Sequence, residues 1–98
     1  MKIKYEYESN DKRVAAYDDN KEVGECCYSS NGPNCWVINH TYVNPEYRGK
    51  NIAEQLVKNV VERAKENKVK IIPLCPYVSK EFSKKPEYRE MEYEGSPE

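Results

Sequence analysis

The sequence predicts a single α+β domain, and three observations lead to that prediction. The first half of the chain alternates apolar and polar residues between clusters of turn formers, which is typical of strands. Residues 51–67 instead repeat their apolar residues every three or four positions, as an amphipathic helix does. Because 98 residues suffice for one two-layer core, we expect one domain over residues 1–98.

Four strands are expected before the helix. Ile3, Tyr5 and Tyr7 alternate with charged residues, which predicts the first strand, and a turn signal follows at 9–11. Three further strands, each bounded by turn formers, are expected at 13–17, 23–29 and 35–43. Short turns between successive strands predict an antiparallel meander.

The helix expected at 51–67 has an apolar face made of Ile52, Ala53, Leu56, Val57, Val60, Val61 and Ala64. A short, mostly buried strand is expected at 69–74. A short helix is expected at 78–83, with Pro86 closing it. The acidic tail from about residue 90, which contains Gly95 and Pro97, is expected to fray.

Charge and composition argue against several classes of protein. Sixteen basic and seventeen acidic residues give a net charge of -1, whereas nucleic-acid binders usually carry a basic excess. No apolar run approaches the length of a membrane span, and the first residues lack the apolar core of a signal peptide. We therefore expect a cytoplasmic protein with neither nucleic acid nor membrane as partner.

The four cysteines do not have the spacing of a structural zinc site. Cys26 and Cys27 are adjacent, and the chain has a single histidine. Without a secretory signal a disulfide framework is not expected either. We expect no metal, and most of the thiols should be small buried apolar groups.

The segment with most functional information runs from His40 to Ala53 and reads as strand, turn and helix start. The first N–H groups of a helix lack partners within the helix and lie at its positive end, so they form an anion site. Gly49 allows close backbone approach, and Asn51 tolerates a left-handed conformation. Arg48 and Lys50 add positive charge, although an ordinary capped helix start would look similar.

This turn resembles the pyrophosphate loop of the GCN5-related N-acetyltransferases, which has Gln or Arg, two residues, Gly, one residue, and Gly or Ala. Arg48 and Ala53 occupy the first and last positions, and Asn51 stands where the motif has Gly. Separate motifs resemble a minimal subgroup of the superfamily whose members are about as long as this chain; they lie at 40–43, 47–50, 73–78 and 86–88.

The resemblance implies a truncated acyl-CoA N-acyltransferase fold, with antiparallel strands, a central pyrophosphate-binding helix and a short C-terminal helix. The two helices that usually cover the acceptor side would be missing, which would leave that side open. It also implies acetyl-coenzyme A as the acetyl donor and an amine acceptor: a protein lysine, an N-terminus or a polyamine. The residues it assigns to the cofactor are Thr41, Tyr42, Val43, Arg48, Gly49, Lys50, Asn51, Ile52, Ala53 and Tyr77.

Two residues are candidates for the chemistry. His40, whose side-chain type titrates near neutrality, could act as general base or be structural. Cys75 could accept the acetyl group, with His40 as its base, or it could line the channel, protonate the leaving thiolate, or be inert. Tyr77 could serve as general acid or as a wall of the cofactor site.

Two other functions remain open alongside the enzyme: a sensor that binds acyl-coenzyme A with little turnover, and an interaction protein that kept only the fold. The expected assembly is a monomer or a weak homodimer paired through an exposed strand edge.

Overall fold

The computed structural model describes residues 2–93, which form one five-stranded sheet with three helices. The strands, adjacent in chain order, are β1 (Ile3–Glu8), β2 (Arg13–Asp18), β3 (Lys21–Ser30), β4 (Cys35–Val43) and β5 (Lys70–Pro73). The helices are α1 (Ile52–Glu66), α2 (Pro76–Lys84) and α3 (Pro86–Arg89). The predicted α+β class is confirmed.

The first four strands form the predicted antiparallel meander, whereas β5 runs parallel to β4. A parallel neighbour needs a crossover connection, and α1 supplies it between β4 and β5. Only a 3-10 turn, Ser9–Asp11, lies between β1 and β2. The chain therefore has no helix pair between β1 and β2, as the resemblance implies.

The helices and one face of the sheet share a single apolar core. The expected apolar stripe of α1 is buried, apart from the half-buried Ala53. The sheet contributes Val14, Ala16, Val23, Cys26 and Ile38 to this core, and α2 contributes Val78 and Phe82. Most of the free energy that holds α1 in place should come from this burial, since propensity alone stabilises a helix of this length only marginally.

An aromatic pair ties three strands together on the core side. The rings of Tyr28 on β3 and Trp36 on β4 stack with centroids 4.0 Å apart. The Tyr28 hydroxyl in turn lies 2.9 Å from the Tyr7 hydroxyl on β1. Stacked rings stabilise a fold by about 0.5–1.5 kcal/mol beyond their buried area, so this pair helps to fix the strand register.

The opposite face of the sheet carries polar side chains centred on Arg13. Its guanidinium donates hydrogen bonds to the carboxylates of Glu8, Glu22 and Glu25 at 2.8–3.0 Å. The Glu8 carboxylate also accepts from the Tyr17 hydroxyl at 2.5 Å. This network makes a polar surface of the face that lies away from the helices.

The C-terminal part differs from the sequence prediction in two respects. Of the two residues expected near the start of the short helix, Ser79 and Pro76, it is Pro76 that begins α2, two residues before the expected bounds, and Pro86 starts α3 as well as following α2. The tail does not fray at residues 90–93: the Ile71 N–H donates to the Met91 carbonyl at 2.7 Å, and Met91 is buried. Gly95 and Pro97 lie outside the described residues.

Across residues 2–93, the helices are too short and too polar to cross a bilayer.

Candidate functional site

Strand β4 extends five residues beyond the point where its pairing with β5 ends. The last paired residues are Ile38 and Pro73, and the N–H groups of both Leu74 and Cys75 then donate to the Ile38 carbonyl, at 3.2 and 3.1 Å. The chain turns there into α2, so residues 39–43 of β4 have no strand on that side. A gap therefore opens between the end of β4 and the start of α2.

Backbone groups of β4 are directed into this gap. Asn44 donates its N–H to the Val23 carbonyl on β3 at 2.8 Å. Because successive residues of a strand direct their backbone groups to alternate sides, Val43 and Thr41 direct theirs away from β3. The Val43 carbonyl accepts from Nε of Arg48 at 3.3 Å, as this direction requires. The Tyr42 backbone is directed towards β3, and its side chain is 46% exposed.

The loop between β4 and α1 is fixed by hydrogen bonds at its start and by left-handed residues at its end. The Asn44 side chain accepts from the Glu46 N–H at 2.9 Å and caps a 3-10 turn at Pro45–Tyr47. The Tyr47 hydroxyl donates to Asp18 at 2.6 Å, which ties the turn to β2. Gly49 and Asn51 then adopt φ of 82° and 62°, and α1 begins directly after Asn51.

The backbone N–H groups of residues 49–54 donate no hydrogen bond to any other described residue. The first N–H with a helical partner belongs to Gln55, which donates to the Asn51 carbonyl at 3.1 Å. A β-carbon built on Gly49 would meet nothing within 4 Å, so the loop faces open space. These amides and the positive end of the helix dipole form a site suited to a phosphate group.

Two adjoining clefts, of about 230 and 260 Å³, lie along this loop and the gap. Val43, Arg48, Ala53 and Tyr77 line both of them. All of the predicted cofactor-binding residues line one cleft or the other, except Lys50, which is exposed beside them. Tyr47 and Glu54 also line the first cleft and were not among the predicted residues. The Pro-x-Tyr turn was the signal for Tyr47, and the acidic residue in the first turn of the helix was the signal for Glu54.

A larger groove of about 350 Å³ lies along the outer side of α1, between Lys58 and Tyr88. Its walls carry similar numbers of acidic and basic side chains, and it shares only Glu54 with the first cleft. The chemistry favours the two smaller clefts, because they contain the free amides and the unpaired end of β4.

Tyr77 presents a protonated phenol to both clefts. Burial raises its pKa, and the nearby carboxylates of Glu81 and Glu54 raise it further. The hydroxyl is therefore available as a hydrogen-bond donor at neutral pH.

The structure does not bring the predicted pair His40 and Cys75 together. Nε2 of His40 lies 3.4 Å from Glu25 on the polar face of the sheet, and the side chain is 53% exposed. The next residue, Thr41, donates instead to Cys26 of the core at 3.5 Å. Cys75 also packs against the core, and no hydrogen bond joins it to His40 within residues 2–93.

Cys75 immediately precedes α2, and its side chain is half-buried. The other cysteines are poor nucleophiles, because burial raises the pKa of Cys26 to about 12 and that of Cys27 to about 11. Burial also raises the pKa of Cys35. The expectation of small buried thiols is confirmed for Cys26 and Cys35. Within residues 2–93, no three His, Cys, Asp or Glu side chains come together as a metal site.

Comparisons with known proteins agree with this geometry. The family described as GCN5-related N-acetyl-transferase matches residues 5–91. A GCN5-like protein from Staphylococcus aureus, solved by NMR, has 29% identity and a TM-score of 0.71, over 97% of this chain and 90% of its own. No curated protein sequence matches this chain.

Two more distant structures share the fold. A ribosomal-protein-alanine N-acetyltransferase from Brucella melitensis biovar Abortus 2308 has 24% identity and a TM-score of 0.59, over 74% of this chain and 60% of its own. Ard1 from Thermoplasma volcanium has 14% identity and a TM-score of 0.56, over 59% of this chain and 39% of its own. The family match covers most of this chain, and the structure has both the gap beyond the β4–β5 pairing and the free amides at the start of α1. The chain therefore belongs to the GCN5-related N-acetyltransferases.

Proposed function

We propose that this protein binds acetyl-coenzyme A along the two clefts and transfers the acetyl group to an amine. The observation that carries the proposal is the run of six free backbone N–H groups at residues 49–54, which lies beside the gap between β4 and α2. A diphosphate needs several donors in a small space, and these six N–H groups, which have no backbone acceptor within residues 2–93, lie together at the start of α1.

The diphosphate, the pantetheine arm and the thioester each have a proposed place on the chain. The amides of residues 49–54 would hold the diphosphate, with Arg48 and Lys50 adding charge. The N–H groups of Thr41 and Val43 face the gap, where they would bond to the pantetheine arm and the thioester carbonyl. The bound cofactor supplies an acetyl group activated as a thioester.

Cys75 is the proposed first acceptor of the acetyl group. Its thiol would form a bond from sulfur to the acetyl carbon as the thioester bond of the cofactor breaks, and the thiol proton would pass to the leaving sulfur. An amine nitrogen would then displace the Cys75 sulfur, which recovers a proton. Transfer between two thioesters is nearly thermoneutral, so the first step needs little driving force.

His40 is better placed to act on the amine than on Cys75. It lies on the polar face together with Glu25, whereas Cys75 lies on the core side of the gap. A protonated amine that approaches over this polar face of the sheet would contact the imidazole before it reaches the gap. The proposed role of His40 is therefore to remove the proton of the acceptor amine.

The covalent step can be tested by intact-protein mass spectrometry after brief incubation with acetyl-coenzyme A. We expect the mass of one acetyl group to be added at Cys75, and to be absent in Cys75→Ala. Cys27→Ala is the matched control, because Cys27 is also half-buried. A label that survives in Cys75→Ala and is lost in Cys27→Ala would contradict the assignment.

The role of His40 can be tested by comparing turnover with cofactor affinity. His40→Ala should lower turnover severalfold or more while the Kd for coenzyme A stays unchanged, because the ring lies outside both clefts. Steady-state rates and calorimetric titration of the same preparation give both values. Equal losses in both would indicate a structural histidine.

A binding module with little turnover is the second candidate function. The separation of His40 from Cys75 and the missing helices between β1 and β2 favour it, because both leave the acceptor side incomplete. Both candidates predict stabilisation by the cofactor, by about 2.7 kcal/mol at a hundredfold excess over Kd. Labelled acetyl transfer to a lysine peptide, an N-terminal peptide and a polyamine separates them.

A further inference from the structure

Glu54 lies where its charge should oppose the proposed ligand. It occupies the first turn of α1 and lines the cleft beside the free amides. An acid in the first turn stabilises a helix, but it also repels an anion bound at the same helix end. A chain that binds a diphosphate there needs to neutralise this carboxylate.

Lys85 provides the neutralising charge from a distant part of the sequence. Its Nζ lies 2.9 Å from Oε1 of Glu54 and donates a hydrogen bond to it. This bond is the main reason why the pKa of Lys85 is raised and that of Glu54 lowered, so both groups are charged at neutral pH.

A second carboxylate keeps Lys85 in place. Glu81, one turn earlier on α2, is buried, and its Oε1 lies 3.0 Å from Nζ of Lys85. This contact lacks the angle of a hydrogen bond, and the Oε1 atom has no other partner among residues 2–93. Among residues 2–93, Glu81 forms an ion pair with Lys85 alone. Because a buried carboxylate without a cation is costly, this ion pair holds Lys85 beside Glu54. The Tyr88 ring, 5.2 Å from Nζ, adds a further contact.

We propose that Lys85 is a positioning residue for coenzyme A, which makes the first turn of α1 accept a diphosphate by neutralising Glu54. The inference rests on the proposed function, because it takes the diphosphate to bind at residues 49–54. The Glu81 carboxylate contributes by fixing Lys85 at the junction of α2 and α3.

A purely structural role for Lys85 makes a different prediction. Lys85 links α2, which follows Cys75 and carries Tyr77, to α1. If that link were its whole contribution, removing the charge of Glu54 would not compensate for loss of Lys85. If neutralisation matters, the same change should restore binding.

The experiment compares three variants by calorimetric titration with coenzyme A at low ionic strength. Glu81→Met combined with Lys85→Met removes the cation together with the buried acid that needs it, and leaves Glu54 charged. We expect its Kd to rise on the order of tenfold, the effect of one uncompensated charge near a diphosphate. Adding Glu54→Gln to that pair should bring the Kd back to within about threefold of the wild type.

Glu54→Gln alone is the third variant, and it leaves the buried pair of Glu81 and Lys85 unchanged. It should bind coenzyme A at least as tightly as the wild type, and weaker binding would overturn the proposal. So would a triple variant as weak as the double variant, or a double variant with unchanged affinity. A wild-type protein that does not bind coenzyme A would instead refute the proposed function on which the inference rests.

Discussion

Replacing Gly49 by glutamate should weaken coenzyme A binding strongly, whereas glutamine at the same position should weaken it only slightly. Gly49 has φ of 82°, a conformation that costs any other residue roughly 1–2 kcal/mol of folding stability. A β-carbon there meets no neighbour within 4 Å, so neither side chain should clash with the protein. Glutamate and glutamine therefore share the backbone cost and differ only in charge.

The charge term can be worked out from the position of the loop. We take about 6 Å as the separation between a carboxylate at position 49 and a diphosphate held by the neighbouring amides. Two unfavourable charge pairs at that distance, with an effective dielectric constant of about 40, cost about 3 kcal/mol in total. This corresponds to about a hundredfold increase in Kd. Salt should reduce the difference, because the loop is exposed.

Calorimetric titration of the wild type, Gly49→Gln and Gly49→Glu with coenzyme A measures the effect at two salt concentrations. Thermal unfolding should show the same loss of stability in both variants, which confirms that they share the backbone cost. Equal affinities of the two variants would refute the reasoning, because they would place the diphosphate away from this loop.

Three further predictions concern stability. Gly24→Ala should cost about 1–3 kcal/mol, seen as a lower Tm in calorimetry, because its β-carbon would lie 2.9 Å from the Tyr42 carbonyl and 3.2 Å from Leu56; an unchanged Tm would contradict this close packing. Phe82→Ala should cost about 3–5 kcal/mol in urea unfolding, since Phe82 is only 2% exposed, and a cost below about 1 kcal/mol would show that the site refills. The Tyr17 hydroxyl, followed by Arg13, lowers the folded-state pKa of Glu8 below its ordinary 4.5. The stabilising contribution of Glu8 is therefore fully present above that ordinary value and is lost as pH falls through the lowered folded-state pKa. The urea concentration at the unfolding midpoint should decrease as pH is lowered below about 4.5, and it should decrease less in Glu8→Gln.

Local patterns in the sequence predict most of the fold. Strand β4 has the bounds expected for it, and α1 differs from its prediction by one residue at each end, where Asn51 and Asn67 cap it. Such segments follow from periodic burial and turn formers, which are local properties. The ordering of residues 90–93 depends on pairing with Ile71 of β5, which no local pattern reveals.

The loop of the candidate site was predictable because its residues are contiguous, whereas the wider arrangement depends on distant contacts. A β-bulge opposite Cys27 and Tyr28 shifts the register of β4 by one residue, and His40 lies on the face away from the core. No residue type in β4 signals that shift. Likewise, the pairing of Lys85 with Glu54 joins positions 31 residues apart, and only the tertiary fold brings these two side chains together.

The stacked Tyr28–Trp36 pair also has a practical consequence. Trp36 is the single tryptophan of the chain and lies in the same strand as Thr41 and Val43, so its fluorescence comes from one known place in the fold. Its indole is shielded from water and in ring contact with a neighbour, which makes emission sensitive to any loosening between β3 and β4. Unlabelled protein thus carries its own optical probe for titrations and for stopped-flow measurement of binding rates.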